Sequence, residues 1–144
     1  MSKVSEYRKT TATFQYYNPN PLENEKKRWD RGDCVIRAFA VALDLTWIEA
    51  YDILCEEARK TYNVPNDDKV YDAALKARGC TYVGCKPEQG KKRMTVEEFC
   101  KAHPKGRFFV NISGHCTAVV DGVCYDTWNP ARHAVTRYYK VDRL

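Results

Sequence analysis

The stretch RGDCVIRAFAVAL, from Arg31 to Leu43, decides the fold of this chain. It is a polar turn followed by an apolar run that only Arg37 interrupts, which predicts a helix covered by protein on nearly all sides. Asp33 is a good N-cap, so Cys34 becomes the first helical residue. Free backbone N–H groups and the positive end of the helix dipole stabilise a thiolate at that position. Cys34 is therefore a candidate nucleophile.

The length and composition of the chain predict one domain, residues 1–144, without a membrane partner. No apolar run approaches the roughly 20 residues of a transmembrane helix. The N-terminal MSKVSEYRK lacks the apolar core of a signal peptide, so we expect a cytoplasmic protein. The seven cysteines are irregularly spaced, which predicts free thiols rather than a disulfide framework.

Hydrophobic periodicity and turn signals predict an α+β architecture in three consecutive parts. Residues 1–31 hold a strand at 11–17 and a loop. Residues 32–104 form the helical part, which begins with the central helix to about 44. A second helix runs from the Thr46 capping box to about 60, and a third from 66 or 67 to 78. A short strand at 81–83 and a helix from the Thr95 capping box to 103 follow. Residues 105–144 form an antiparallel meander with strands at 107–112, 115–120, 123–128 and 135–141. The central helix packs on this sheet.

The dipeptide Asp121-Gly122 predicts the register of one hairpin in this meander. If the residues on either side of the dipeptide face each other, side-chain alternation puts His115 and Asp126 on one face as diagonal neighbours. Diagonal neighbours are close enough for a carboxylate and an imidazole to meet. Cys116 and Cys124 fall on opposite faces, so they should not form a disulfide.

A cysteine at a helix start, a histidine that opens a strand and a carboxylate on the next strand are the parts of a nucleophilic triad. In this interpretation Cys34 attacks a carbonyl carbon, and His115 accepts the thiol proton and returns it to the leaving group. Asp126 fixes the tautomer and orientation of the imidazole ring. The sequence therefore predicts a cysteine hydrolase.

Four runs of the sequence carry a resemblance to a known superfamily, namely NPNP at 18–21, GDCVIRA at 32–38, GH at 114–115 and YDTW at 125–128. They resemble the papain-like cysteine peptidases, and more closely small papain-like proteins of Gram-positive bacteria and their phages. The resemblance implies a papain-like fold and hydrolysis of an amide, peptide or isopeptide bond in a protein or peptide substrate, and we expect no cofactor. It also implies that Trp128 shields the bond between Asp126 and His115.

One part of the papain-like pattern is missing from the chain. These enzymes take an oxyanion-hole donor from a Gln shortly before the nucleophile, at the position that Arg28 occupies here. The backbone N–H of Cys34 supplies one donor, and Asn18, Asn20 or Arg31 is a candidate for the second. The two asparagines are equally suited to capping turns before proline.

A metal site is an alternative role for some of the cysteines. The candidate zinc ligands are three thiols and an imidazole, Cys80, Cys85, Cys100 and His103. Their spacing is wider than that of common zinc modules, and Cys100 falls on an amphipathic helix where a place in the core is ordinary.

Two other functions compete with the hydrolase. The first is a papain-like module without turnover, such as a phage protein that sequesters a host factor or a small ligand. The second is a nucleic-acid adaptor, because residues 86–107 contain seven Lys or Arg against three Glu. Its binding residues would be the basic side chains of Lys91, Lys92, Arg93 and Lys105. A solvated surface explains that charge more simply than nucleic acid does.

Overall fold

The computed structural model describes residues 8–22 and 32–144. Within these residues the chain forms four helices and a six-stranded sheet, an α+β architecture. In chain order the elements are β1 (Phe14–Tyr16), α1 (Cys34–Ala42), α2 (Trp47–Arg59), α3 (Asp68–Ala77), β2 (Cys80–Gly84), α4 (Val96–Ala102), β3 (Arg107–Ile112), β4 (His115–Val120), β5 (Val123–Asp126) and β6 (Arg137–Val141).

Local capping signals set the start of three helices. Thr46 accepts a hydrogen bond from the Glu49 N–H (3.2 Å), and Glu49 accepts one from the Thr46 N–H (2.9 Å). Thr95 forms the same capping box at α4, and Asp67 caps α3. The predicted starts of these helices are confirmed, because a cap depends only on residues within one turn of each other.

The central helix α1 begins at Cys34, as predicted, but its N-cap works differently. Asp33 occupies the N-cap position without a side-chain cap hydrogen bond. Its carboxylate instead accepts hydrogen bonds from side chains on other segments, including Trp47 of α2. The expectation that the Asp33 side chain caps the helix is therefore wrong, because side-chain donors occupy both of its oxygens. Arg37 bonds Oδ1, and Asn20 and Trp47 bond Oδ2.

The sheet has the strand order β1-β5-β4-β3-β6-β2. The hairpin register is confirmed, since Val120 pairs with Val123 and Val119 with Cys124. The prediction of a simple meander is wrong, because β6 pairs with β3 and β2 rather than with β5. At the opposite edge, β1 pairs with β5 in parallel, so strands from outside residues 105–144 complete the sheet on both sides.

The connection from β5 to β6 explains why β6 lies beside β3. Two backbone bonds attach it to the start of α4, from the Val96 N–H to the His133 carbonyl (2.9 Å) and from the Glu97 N–H to the Ala131 carbonyl (3.1 Å). Val135 at its end is fully buried. These two backbone bonds and the burial of Val135 direct the connection across the sheet face before β6 begins.

Two apolar clusters pack on opposite faces of the sheet. The first cluster joins α1, α2 and α3 to inward-facing side chains such as Phe109, Ala118 and Tyr139. The second cluster joins α4 to the alternate side chains, such as Phe108 and Val119. No helix in the described ranges is both long and apolar enough to cross a lipid bilayer.

Candidate active site

Cys34 lies at the first turn of α1, where the helix packs against β4, and its side chain is half-buried. A hydrogen bond with Cys116, together with the hydrogen bond and charge of His115, lowers the pKa of the Cys34 thiol to about 4, although burial opposes the change. At neutral pH the thiol is therefore ionised, which is the reactive form of cysteine.

His115 and Asp126 meet as the hairpin register requires. The Nε2–H of His115 donates to Oδ2 of Asp126 over 2.7 Å. Burial alone would lower the pKa of His115, but its hydrogen bonds and attraction to Asp126 and Cys34 raise that pKa to about 9. Because Nε2 is occupied by the carboxylate, Nδ1 is the ring nitrogen left for the Cys34 sulfur. The pair of Cys34 and His115 is thus a thiolate and an imidazolium at neutral pH.

The Asp126 carboxylate is buried and held on both oxygens. Oδ2 accepts from His115, and Oδ1 accepts from the Thr127 N–H over 2.7 Å. The backbone at the same residue is also fixed, because its carbonyl accepts from the Tyr17 N–H (2.9 Å) beside the parallel strand β1. Strand β1, whose position the sequence did not predict, therefore rigidifies the third member of the candidate triad.

Trp128 lies directly after β5, which ends at Asp126 and not at 128 as expected. Its ring contacts the His115 ring, with centroids 4.8 Å apart and a tilt of 45°. The indole thus lies against one side of the imidazole, and shielding of the bond between Asp126 and His115 stays a prediction. Shielding from water strengthens a hydrogen bond such as that between His115 and Asp126.

Cys116 is a member of the site that the sequence analysis missed. It follows His115 on β4, faces α1 in the first cluster and is buried. Its sulfur accepts a hydrogen bond from Nδ2 of Asn111 over 3.5 Å, and its hydrogen bond to Cys34, together with burial, raises the pKa of Cys116. Cys116 therefore stays protonated and donates its S–H to the Cys34 thiolate. The available signal was alternation, which turns the residue after His115 toward the helix.

Arg37 is the second residue that the sequence left without a role. Its Nη1 bonds Oδ1 of Asp33, and its Nη2 lies 3.8 Å from Oδ1 of Asp126. Asp33 also accepts from Nδ2 of Asn20 (3.1 Å) and from Nε1 of Trp47 (2.9 Å). The signal was present in the sequence, because Arg37 is the one charged residue in the apolar run of α1.

The oxyanion candidates are engaged in other contacts or lie outside the described residues. Asn18 Oδ1 accepts from the Asn20 N–H (2.9 Å), and Asn20 Oδ1 accepts from the Leu22 N–H (3.1 Å). Both side chains thus cap turns, while the Asn20 amide group also donates to Asp33. Arg31 lies outside the described residues, as does Arg28. The backbone N–H of Cys34 remains the predicted first donor.

The four candidate zinc ligands do not converge. Cys80 belongs to the first cluster, whereas Cys85 and Cys100 pack into the second cluster on the other face of the sheet. His103 Nδ1 contacts the Phe99 carbonyl at 2.9 Å. No group of three or more His, Cys, Asp or Glu side chains suited to a metal ion occurs in residues 8–22 and 32–144.

All seven cysteines are free thiols. Cys116 and Cys124 lie in different clusters, as the predicted alternation required. Among the basic residues of the adaptor hypothesis, Lys91 pairs with Glu88 over 3.2 Å and Arg93 donates to the Cys85 carbonyl over 2.8 Å. The local charge is thus partly neutralised within its own loop.

A cavity of about 790 Å³ lies beside the start of α1. Its walls combine the N-terminal turn with the starts of α1 and α2, and most are apolar: Pro19, Pro21, Leu22, Ile36, Trp47 and Ile48. Gly32 and Asp33, which directly precede the candidate nucleophile, also line it. A volume of this size suits a small ligand or a few side chains of a peptide.

Comparisons of the chain with protein-family models, curated proteins and solved structures found no match.

Proposed function

We propose that the protein is a papain-like cysteine hydrolase that cleaves an amide, peptide or isopeptide bond. The observation that carries the proposal is the assembly of Cys34, His115 and Asp126, with the thiol at a helix start and the imidazole bonded to a buried carboxylate. The sequence resemblance to papain-like peptidases and the α+β architecture with a buried central helix support the same assignment.

The proposed reaction begins from the thiolate and imidazolium pair. The Cys34 sulfur bonds to the carbonyl carbon, the carbonyl oxygen becomes negative, and His115 donates its proton to the nitrogen of the breaking C–N bond. The amine leaves and a thioester remains. His115 then accepts a proton from water, the resulting hydroxide attacks the thioester, and the thiolate departs. His115 is more readily neutral at this stage, and so is available to accept the proton, because the thioester lacks the Cys34 charge that helps to raise the His115 pKa.

Alkylation by iodoacetamide near pH 6 tests the proposal. We expect selective labelling of Cys34, located by peptide mapping, because its pKa lies near 4. Cys55 and Cys85 are also half-buried and serve as internal comparisons. His115→Ala should slow the labelling of Cys34 sharply. Slow and equal labelling of several cysteines would contradict the hydrolase.

Turnover is tested with an activated ester such as p-nitrophenyl acetate. We expect transient acetylation of Cys34, detected by intact-protein mass, and faster release of nitrophenol than from Cys34→Ala. Acylation should need both the thiolate and the imidazolium, so its rate should fall below about pH 4 and above about pH 9. An acid limb near the ordinary thiol pKa of 9.0 would rule out the ion pair.

A binding module without turnover is the second candidate, and the state of Asn20 favours it. The Asn20 amide group bonds Asp33, so it is already engaged in the structure before any oxyanion forms. Loss of one such donor lowers a rate by about 10²–10³. Selective labelling of Cys34 combined with a stable acetyl-enzyme and no turnover would support this candidate instead.

A further inference from the structure

Arg37 is a buried cation placed between two buried carboxylates. The side chains of Arg37 and Asp33 are each 6% exposed, and that of Asp126 is 4% exposed. Transfer of a guanidinium from water to such a site costs several kcal/mol unless it is paired. Stability alone does not explain a buried arginine here, because well-packed apolar residues often replace buried ion pairs without loss of stability.

The guanidinium fits its position because it has two separate terminal nitrogens. Nη1 bonds Asp33, which lies four residues earlier on the same side of α1. Nη2 faces Asp126, which lies on β5. An ammonium has a single nitrogen and cannot contact both carboxylates in this way.

Asp33 anchors the first end of this bridge. Its Oδ2 accepts from Asn20 and Trp47, two side chains that come from the N-terminal turn and from α2. These two segments of the chain therefore hold Asp33, and through it the guanidinium, in one place. The second end of the bridge lies beside the oxygen of Asp126 that does not bond the imidazole.

We propose that Arg37 is a positioning residue: anchored by Asp33, its guanidinium holds the Asp126 carboxylate in line with the imidazole of the triad. The proposal rests on the proposed function. Without this cation Oδ1 of Asp126 keeps its bond to the Thr127 N–H but loses the guanidinium, so the carboxylate is aligned less firmly with His115 and the imidazolium that stabilises the Cys34 thiolate becomes less favourable. In this role Arg37 acts on the triad through its contact with Asp126.

The test compares Arg37→Met with Arg37→Lys, using the pH dependence of Cys34 alkylation. We expect the midpoint of the Cys34 alkylation profile to move to higher pH in Arg37→Met, so that labelling at a pH below the wild-type midpoint slows by about tenfold for each pH unit of displacement. Arg37→Lys keeps the charge but cannot bridge, so its midpoint should also move upward. A second readout is the His115 pKa measured by NMR, which should fall in both variants.

Arg107→Met is the matched control, because Arg107 holds the other end of the same helix. Its Nε and Nη2 donate to the Ala42 and Val41 carbonyls (2.9 and 2.7 Å) at the end of α1. This variant should lose stability while the alkylation midpoint stays unchanged. If the alkylation midpoint moves equally in Arg107→Met, the positioning role is overturned, because general destabilisation of α1 would then explain the effect.

The outcomes separate this proposal from the hydrolase. If wild-type Cys34 itself lacks selective labelling near pH 6, the proposed function fails. If the wild type labels selectively and both Arg37 variants keep its midpoint, only the positioning role is wrong. If Arg37→Lys alone keeps the midpoint, charge is sufficient and the bridge is overturned. Where Arg37→Met does not fold, Arg37→Lys and the His115 pKa decide.

Discussion

At the scale of the residue, Cys116 is the neighbour on which the ionisation of Cys34 chiefly depends. Its S–H donates to the Cys34 thiolate, and this hydrogen bond is the largest cause of the lowered Cys34 pKa. Asn111 in turn donates to the Cys116 sulfur, so the donor is held in place from behind. A buried thiol whose own pKa is raised can therefore support a reactive one.

Cys116→Ala should raise the Cys34 pKa from about 4, because the thiolate loses its largest stabilising contact. The alkylation rate at pH 5 should fall, by about tenfold where the pKa rises by about two units. Cys116→Ser is the control, since a hydroxyl keeps the donor and should preserve the low pKa. An unchanged alkylation profile in Cys116→Ala would show that Cys116 has no part in the ionisation of Cys34.

At the scale of the element, the β4–β5 hairpin carries the alignment of His115 with Asp126. Asp121 and Gly122, the two turn residues, have φ values of 48° and 77°. Positive φ at both central positions is typical of the type I′ turn, whose twist matches that of the strands. A slip of one residue would send the two side chains to opposite faces.

Gly122→Ala should destabilise the protein more than Gly114→Ala, although both glycines have positive φ. A Cβ at Gly122 would lie 3.1 Å from the Cys100 carbonyl oxygen and 3.3 Å from Pro104 Cα, whereas a Cβ at Gly114 meets nothing within 4 Å. We expect losses of about 1 kcal/mol at Gly114 and about 2 kcal/mol or more at Gly122. Urea denaturation measures both, and equal losses would contradict the crowding argument.

At the scale of the whole molecule, the shifted pKa values couple stability to pH. Cys34 is ionised above about 4 in the folded state, whereas an ordinary thiol ionises near 9.0, so unfolding takes up a proton between these values. The contribution of Cys34 to the free energy of unfolding therefore grows with rising pH and is lost as pH falls through 4. His115 acts in the opposite direction: its contribution is complete below 6.5 and is lost as pH rises through about 9.

The stability advantage of the wild type over Cys34→Ala should therefore increase with pH from about 4. This difference in the free energy of unfolding should rise most steeply below pH 6.5, with a limiting slope of about 1.4 kcal/mol per pH unit. Cys80→Ala is the control, because burial and the Asp142 charge raise the Cys80 pKa to about 11, which leaves that thiol protonated throughout this range. Urea denaturation under reducing conditions at pH 5, 6.5 and 8 measures the difference. Parallel pH dependence of the two variants would contradict the Cys34 shift.

The sequence by itself determined that α1 begins at Cys34, that Thr46 and Thr95 cap α2 and α4, and that the hairpin register brings His115 to Asp126. These features depend on caps, turns and side-chain alternation within a few residues. Only the tertiary structure decided that β1 flanks β5 and that β6 lies beside β3, since many strand orders satisfy the same apolar pattern. It also decided the partners of Arg37 and Cys116. Those contacts join segments far apart in the chain, and only the packing of α1 against the sheet brings them together.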